Sequence, residues 1–320
     1  MDTLLEVKDL GVSFYSDSGE TKAIKNAGFL IKKGEFFGIV GESGSGKSVA
    51  AKSILKLLPE NGKINSGMIQ FQGKNLLTQS EKELQAIRGR EISIVFQDSL
   101  SALNPVYTIG SKLIELLRRN HKMTRSQAKA RAIELLTAVG INDPEKHLKS
   151  YPHELSGGMR QRVMIAMAVS SSPKLMIADE PTTALDVTIQ AQILNLLKKI
   201  QKSSGMSVVL ITHDLGVVAQ MCGRIAVMCG GYVVEEGTAE DIFFHSRHPY
   251  TQALIASMPK VGEEPFVPFL EKPVNDKEDD LCPFLNRCAK SDQRCETCLP
   301  EFYQEHETHY IRCHRKGEIK

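Results

Sequence analysis

Residues Gly41 to Ser48 read G-E-S-G-S-G-K-S, which fits the spacing G-x-x-x-x-G-K-[ST] of a phosphate-binding loop. This stretch constrains the fold more than any other, because such a loop works only between a strand and a helix. The run Glu35-Phe-Phe-Gly-Ile-Val-Gly41 is short, apolar and bounded by glycine, which predicts a buried parallel strand. The run Val49 to Leu58 carries Ile54, Leu55, Leu57 and Leu58 and predicts a helix ended by Pro59. Gly41, Gly44 and Gly46 let backbone N–H groups turn inward on phosphate oxygens, with Glu42, Ser43 and Ser45 completing the cradle. The helix N-terminus adds partial positive charge at the same point. Lys47 reaches the outer phosphates, and the Ser48 hydroxyl suits a magnesium shell. The loop implies a nucleoside triphosphate and leaves open which machine uses it.

Composition narrows the class. A chain of 320 residues with 42% hydrophobic content can bury a sizeable core, as one large domain with an appendage or as two domains. Lys+Arg 40 against Asp+Glu 38 gives a net charge of +2, which argues against a dominant nucleic-acid surface. The opening Met1-Asp-Thr-Leu-Leu-Glu-Val-Lys carries charge from its second residue, so no secretion signal is expected. The most apolar long stretch, Gly216 to Val234, includes Gln220 and Arg224 and reads as a helix end plus two short strands, not a membrane span. A soluble cytoplasmic protein is expected, with any membrane association made through partners.

In chain order, strands are expected at Leu4–Phe14, Ala23–Ile31, Gly67–Phe71, Ile92–Phe96, Lys174–Ala178, Ser207–Thr212, Arg224–Met228 and Tyr232–Glu235. Helices are expected at Ser80–Ile87, with Ser80 and Glu83 as a capping box, and at Ile109–Leu117, Ser126–Val139, Gly157–Ser170, Thr188–Gln201 and Leu215–Met221. Strands alternating with helices mean an α/β domain with a mostly parallel sheet and a helical insert. In such sheets ligands gather at the carboxyl ends of strands. Four polar signals stand there: the glycine loop, Gln97, Asp179-Glu180 and His213.

These strand ends have a common chemistry. Asp179 follows Leu175-Met-Ile-Ala178, the Walker-B pattern, and its carboxylate suits Mg²⁺ directly or through water. Glu180 is free to orient an attacking water or accept its proton. Two adjacent carboxylates beside a triphosphate repel without a cation, so the pair itself implies Mg²⁺. Leu155-Ser-Gly-Gly-Met-Arg-Gln-Arg162 is a second glycine-bearing loop opening a helix, with Ser156, Gly157 and Gly158 as a second anion site. One nucleotide has no use for two such sites, so a two-fold pair with ATP between the loops is the economical arrangement. Phe14 and Tyr15, before the Ser16–Glu20 turn, are candidates to stack on a base or simply to pack in a strand.

This order of motifs resembles the ATPase subunits of ABC transporters over about the first 250 residues: the phosphate loop, V-F-Q-D with Gln97, L-S-G-G-M-R-Q-R, A-D-E-P, A-L-D and I-T-H-D. The resemblance implies the P-loop NTPase ABC fold, with a RecA-like parallel core, an antiparallel β subdomain and a helical subdomain. It implies ATP bound by Phe14, the loop and Gln97, with Mg²⁺ held by Ser48, Gln97 and Asp179. Glu180 and His213 become the catalytic pair, Asp186 the D-loop residue, and Ser156, Gly157, Gly158 and Gln161 the contacts to a partner's ATP. F-Q-D-S-L-S-A-L-N-P from Phe96 and R-H-P-Y-T-Q-A-L from Arg247 resemble the oligopeptide/dipeptide branch of importers, and G-E-S-G-S-G-K-S-V resembles the first of its two paired ATPases. Ser99 stands where that branch usually has proline. The resemblance implies a second ATPase subunit, two transmembrane permeases and an extracytoplasmic solute-binding protein, and a place on the cytoplasmic face of the membrane. Nickel or another small solute is the alternative cargo. A soluble ABC ATPase acting on nucleic acid predicts a coiled-coil insertion or tandem cassettes, and the sequence has neither. A regulatory module in which the cysteine tail senses redox or metal state, with ATP use secondary, is a further alternative. The implied domains are 1–250, with a helical subdomain at about 98–171, and an extension at 251–320.

Five of the seven cysteines lie in the last forty residues, beyond a charged, proline-bearing linker at 259–280. Without a secretion signal such clustering points to metal or redox chemistry more than to disulfides. Cys282-Pro-Phe-Leu-Asn-Arg-Cys288 resembles the C-terminal element of the same branch. By that resemblance Cys282, Cys288, Cys295 and Cys313 hold a [4Fe–4S] cluster, with Zn²⁺ the physical runner-up and Cys298 a possible substitute ligand. Cys222 and Cys229 read as core residues.

Overall fold

The computed structural model describes residues 2–98, 102–258 and 281–315. Ser99 and the linker at 259–280 lie outside the described residues. The chain forms two compact units, Met1–Gln79 with Leu210–Lys320, and Ser80–Val209.

The first unit begins with a long hairpin, β1 (Thr3–Ser16) and β2 (Gly19–Lys32), and β4 (Gly62–Phe71) pairs antiparallel with the other edge of β1. Strand β3 (Phe36–Val40) is buried at all five positions, as its apolar run requires. It lies parallel to β9 (Arg224–Cys229), which turns back through Gly230-Gly231 into antiparallel β10 (Tyr232–Thr238). The sheet of this unit is therefore more antiparallel than the mostly parallel expectation, because its hairpins are joined by turns too short to cross over. A short β5 (Lys74–Asn75) pairs with the end of β4.

Helix α1 (Lys47–Ile54) differs from the expected Val49–Leu58 at both ends. It starts earlier because Gly46, at φ 101, supplies the left-handed entry. It stops earlier because Lys56 turns left-handed at φ 50 and the Leu57 N–H donates back to the Lys52 carbonyl at 2.9 Å. That is a Schellman-type stop, so Pro59 has no helix left to end.

In the second unit α2 (Glu81–Ile87) carries the expected capping box: Ser80 Oγ accepts from Glu83 N–H, and the Glu83 carboxylate accepts from Ser80 N–H at 2.9 Å. Strands β6 (Ile92–Val95) and β7 (Leu175–Asp179) run parallel, with Ile94 opposite Ile177. Between them lie α3 (Ile109–His121), α4 (Arg125–Ala138), α5 (Pro144–His147) and α6 (Gly157–Val169), and β7 leads into α7 (Val187–Ser204). The helical segment expected at about 98–171 falls within this unit. Strand β8 (Ser207–Thr212) is wholly buried and ends beside His213.

The C-terminal part contains more structure than the sequence announced. After α8 (Leu215–Met221), β9 and β10 come α9 (Ala239–Phe244) and α10 (Pro249–Ala256). The boundary expected between residues 250 and 251 falls inside α10. A hairpin, β11 (Tyr303–His306) and β12 (His309–Ile311), then joins the sheet, with Glu235 of β10 opposite Ile311. Cys222 and Cys229 are core residues as expected. Among the described residues no helix is long and apolar enough to cross a membrane.

Candidate nucleotide site and cysteine pocket

The glycine loop leaves β3 at Gly41, where φ is 152 and an added Cβ would sit 2.1 Å from the Met228 carbonyl oxygen. No side chain fits there. Lys47 is only 5% exposed, and its Nζ donates to the carbonyls of Gly41 at 2.8 Å and Glu42 at 2.7 Å. The ammonium is thus held over the loop by its own backbone. Helix α1 has no side-chain cap and no acidic residue in its first turn, so its N-terminal end suits an anion. Ser45 Oγ is buried without a hydrogen-bond partner, a polar atom suited to a polar ligand. Phe14 is partly buried and packs against Gly62, whereas Tyr15 is 39% exposed, donates its hydroxyl to Glu20 at 3.2 Å and faces Lys63.

Within the second unit two of the strand-end signals come together, Gln97 and Asp179-Glu180. Asp179 closes β7 and is 2% exposed. Glu180 follows in the left-handed region at φ 47, which turns its side chain off the strand line. Its Oε2 accepts from Gln97 Nε2 at 2.9 Å and from Thr183 Oγ1 at 2.8 Å. Two residues singled out separately in the sequence are therefore hydrogen-bonded partners. His213 is exposed at the end of β8.

The second glycine loop is a capped helix start. Ser156 Oγ accepts from Met159 N–H at 3.3 Å at the head of α6, and Asp186 caps α7 by accepting from Ile189 N–H at 3.0 Å. The two caps are packed together: an added Cβ on Gly158 would lie 2.7 Å from Ile189 Cγ2. Ser156 is exposed, but Gln161 is 3% exposed and its Nε2 has no partner. Gln161 lies two residues beyond Met159 on α6, and its side chain is buried.

The four cysteines chosen by resemblance line one pocket. Cys282, Cys288, Cys295 and Cys313 share it with His248 and Phe284, while Cys298 is exposed with its Sγ 3.8 Å from His314 Nε2. Burial pushes the Cys282 thiol up to about 12 and raises Cys288, Cys295 and Cys313 as well, and Cys282 and Cys313 also feel their neighbours' charge. A shared positive centre would reverse that penalty. The donor set fits a metal group of four thiolates. Among the described residues no three of these sulfurs lie within 4.8 Å of one another.

Sequence reading missed the connection between this pocket and the phosphate loop. Arg287 donates to both carboxylate oxygens of Glu42, at 2.9 and 3.0 Å, and Tyr250 Oη accepts from the Glu42 N–H at 2.9 Å. Arg287 is the residue before Cys288, and its guanidinium lies over the Phe284 ring at 5.1 Å. The one local hint was an arginine placed between an apolar run and a cysteine.

Comparison with known proteins agrees with this geometry. Residues 24–183 match the family described as "ABC transporter", and residues 234–295 match "Oligopeptide/dipeptide transporter, C-terminal region". The dipeptide transport ATP-binding protein DppD of Bacillus subtilis (strain 168) is 46% identical over 98% of this chain and 95% of its own length. The oligopeptide transport ATP-binding protein OppD of the same organism is 55% identical over 82% of this chain and 74% of its own. Among solved structures, the ATP-binding cassette MJ0796, seen as a dimer in a post-hydrolysis state with ADP and phosphate, aligns with a TM-score of 0.67 at 31% identity. It covers 74% of this chain and 99% of its own.

Proposed function

Because the chain belongs to the ABC transporter ATP-binding proteins of the oligopeptide/dipeptide branch, we propose that its two glycine loops and strand-end carboxylates divide one cycle of ATP hydrolysis between them. The protein is an ATPase that couples hydrolysis to peptide import and works with permease subunits and a substrate-binding protein. The observation that carries the residue assignment is the phosphate loop, with Lys47 held over it and an uncapped α1 behind it.

In this reading Lys47 exchanges its two carbonyl partners for outer phosphate oxygens when the triphosphate arrives. The N-terminal end of α1 and Ser45 bind the inner phosphates, and Phe14 stacks on the base. Mg²⁺ would neutralise developing charge on the phosphates, and Ser48, Gln97 and Asp179 are the residues that would hold it. Glu180 takes the proton of the attacking water, and Gln97 and Thr183 keep its carboxylate oriented. His213 serves the terminal phosphate. Ser156, Gly157 and Gly158 complete the site of a second ATPase subunit, most simply a related but distinct one, with Asp186 beside them. Gln161 acts from beneath that loop, as a buried support. The domains at 1–250 and 251–320 then describe a nucleotide-binding body and an extension, although α10 bridges the two. The assembly sits on the cytoplasmic face of the membrane, held there by the permeases.

The cysteine pocket holds a [4Fe–4S] cluster in this reading, supported by four thiols that line one pocket, Cys295 and Cys313 buried and Cys282 and Cys288 partly so.

The test of the hydrolytic assignment is Glu180→Gln. The amide keeps the hydrogen bonds of Glu180 but cannot take a proton. The variant is expected to bind ATP normally, favour the closed dimer and lose turnover by about 10²–10⁴-fold. Undiminished hydrolysis would remove Glu180 from its role.

A further inference from the structure

The C-terminal hairpin brings a second, separate set of ligand atoms together. His306 ends β11 and His309 begins β12, and the two are opposed across a two-residue turn, with ring centroids 5.1 Å apart. Asp241, in the first turn of α9, lies against them: its Oδ1 is 3.4 Å from His306 Nε2. One ligand atom from each of Asp241, His306 and His309 lies within 4.8 Å of the other two, and among the described residues this is the one such group.

Each side chain is prepared for a cation. Asp241 Oδ2 is fully engaged, accepting from Thr238 N–H at 2.8 Å, Thr238 Oγ1 at 2.7 Å and Thr308 Oγ1 at 3.0 Å. These bonds fix the carboxylate and leave Oδ1 turned toward His306. His309 is completely buried, and its Nε2 is 2.8 Å from Glu235 Oε1. Glu235 is itself buried and held by the Arg247 and His248 N–H groups at 2.7 and 3.1 Å. A carboxylate so placed accepts from Nε2–H, which puts the ring's lone pair on Nδ1. That Nδ1 is buried with no hydrogen-bond partner. An imidazole braced by a carboxylate on one nitrogen, with the other uncommitted, is the usual arrangement of a metal-ligating histidine. His306, in contrast, is half-exposed and can swing onto a metal while leaving positions open to water.

We infer that Asp241, His306 and His309 form a binding site for a divalent first-row transition cation, separate from the cysteine pocket. Two imidazoles and one carboxylate favour Zn²⁺, Co²⁺ or Ni²⁺ over Mg²⁺ or Ca²⁺, which prefer all-oxygen shells. The bound ion ties the β11–β12 hairpin to α9 and β10. Because Cys313 follows β12 by two residues, it also fixes one wall of the cysteine pocket.

Anaerobic titration of the full-length protein with Co²⁺, followed by absorption, tests this. Thiolate ligation produces intense near-ultraviolet bands, and nitrogen–oxygen ligation only weak visible ones. The expected result is a saturable component without thiolate bands whose affinity falls about tenfold or more in His306→Ala. His306 is half-exposed, so that variant keeps the fold, which far-ultraviolet circular dichroism verifies. Asp241→Asn is expected to weaken the same component. Unchanged Co²⁺ affinity and spectrum in His306→Ala would overturn the inference, as would a titration in which all bound Co²⁺ shows thiolate bands.

Discussion

The pair Arg287–Glu42 invites a double-mutant cycle, because its two halves are unequally buried. The Arg287 side chain is 3% exposed and that of Glu42 27%. Replacing Arg287 with Met keeps the stem that packs on Phe284 and leaves Glu42 to be rehydrated from its open side. The expected loss of stability is about 1–2 kcal/mol. Replacing Glu42 with Gln leaves a guanidinium in a closed apolar setting with no matching charge, and the expected loss is about 3 kcal/mol, at the low end for a broken buried pair. The double variant removes both charges, so it should fall short of the sum by about 1–3 kcal/mol. Urea unfolding of the nucleotide-free protein, followed by circular dichroism for the four species, reads these values. A second readout separates a local contact from a link to function: both single variants should weaken binding of a fluorescent ATP analogue, since Glu42 is part of the phosphate loop. Additivity within about 0.5 kcal/mol would refute the reasoning. So would Arg287→Met costing more than Glu42→Gln.

Two further outcomes follow from the same region. His248 is 1% exposed and burial lowers its pKa to about 4, so the unfolded chain binds the proton that the folded chain refuses between about 6.5 and 4. Stability should therefore fall as pH drops through that window, by up to about 3 kcal/mol, and His248→Gln should flatten the slope in urea midpoints measured from pH 7 to 5. In anaerobically purified protein, Cys288→Ser should abolish visible absorption and bound iron while Cys298→Ser leaves both in place; equal iron in the two variants would rule out the assigned ligand set.

What the sequence disclosed is what local chemistry can encode. The phosphate loop, Asp179-Glu180, the Ser80–Glu83 box and the buried strands were legible because each is determined by neighbours a few residues away. The end of α1 was not, since a lysine in the left-handed region leaves no mark in an apolar pattern. The β11–β12 hairpin was hidden because Y-Q-E-H and H-Y-I carry little apolar alternation, and it is held by pairing with β10, far away in sequence. Arg287 and Glu42 are 245 residues apart, beyond any local rule. The burial of Gln161 was equally out of reach, because its place in the L-S-G-G-x-x-Q motif carries no mark of how deep it lies.

The pairing of β12 with β10 has one more consequence. Strand β10 bonds to β2 only at Tyr232 opposite Asn26, after which that flank passes to β12 at Glu235 and Glu236. The tail is thus a guard on an otherwise open sheet margin. A chain cut short before Tyr303 would keep its nucleotide loop and expose unpaired backbone amides and carbonyls, a template on which one copy can recruit another. The segment that houses the cysteines also covers that margin.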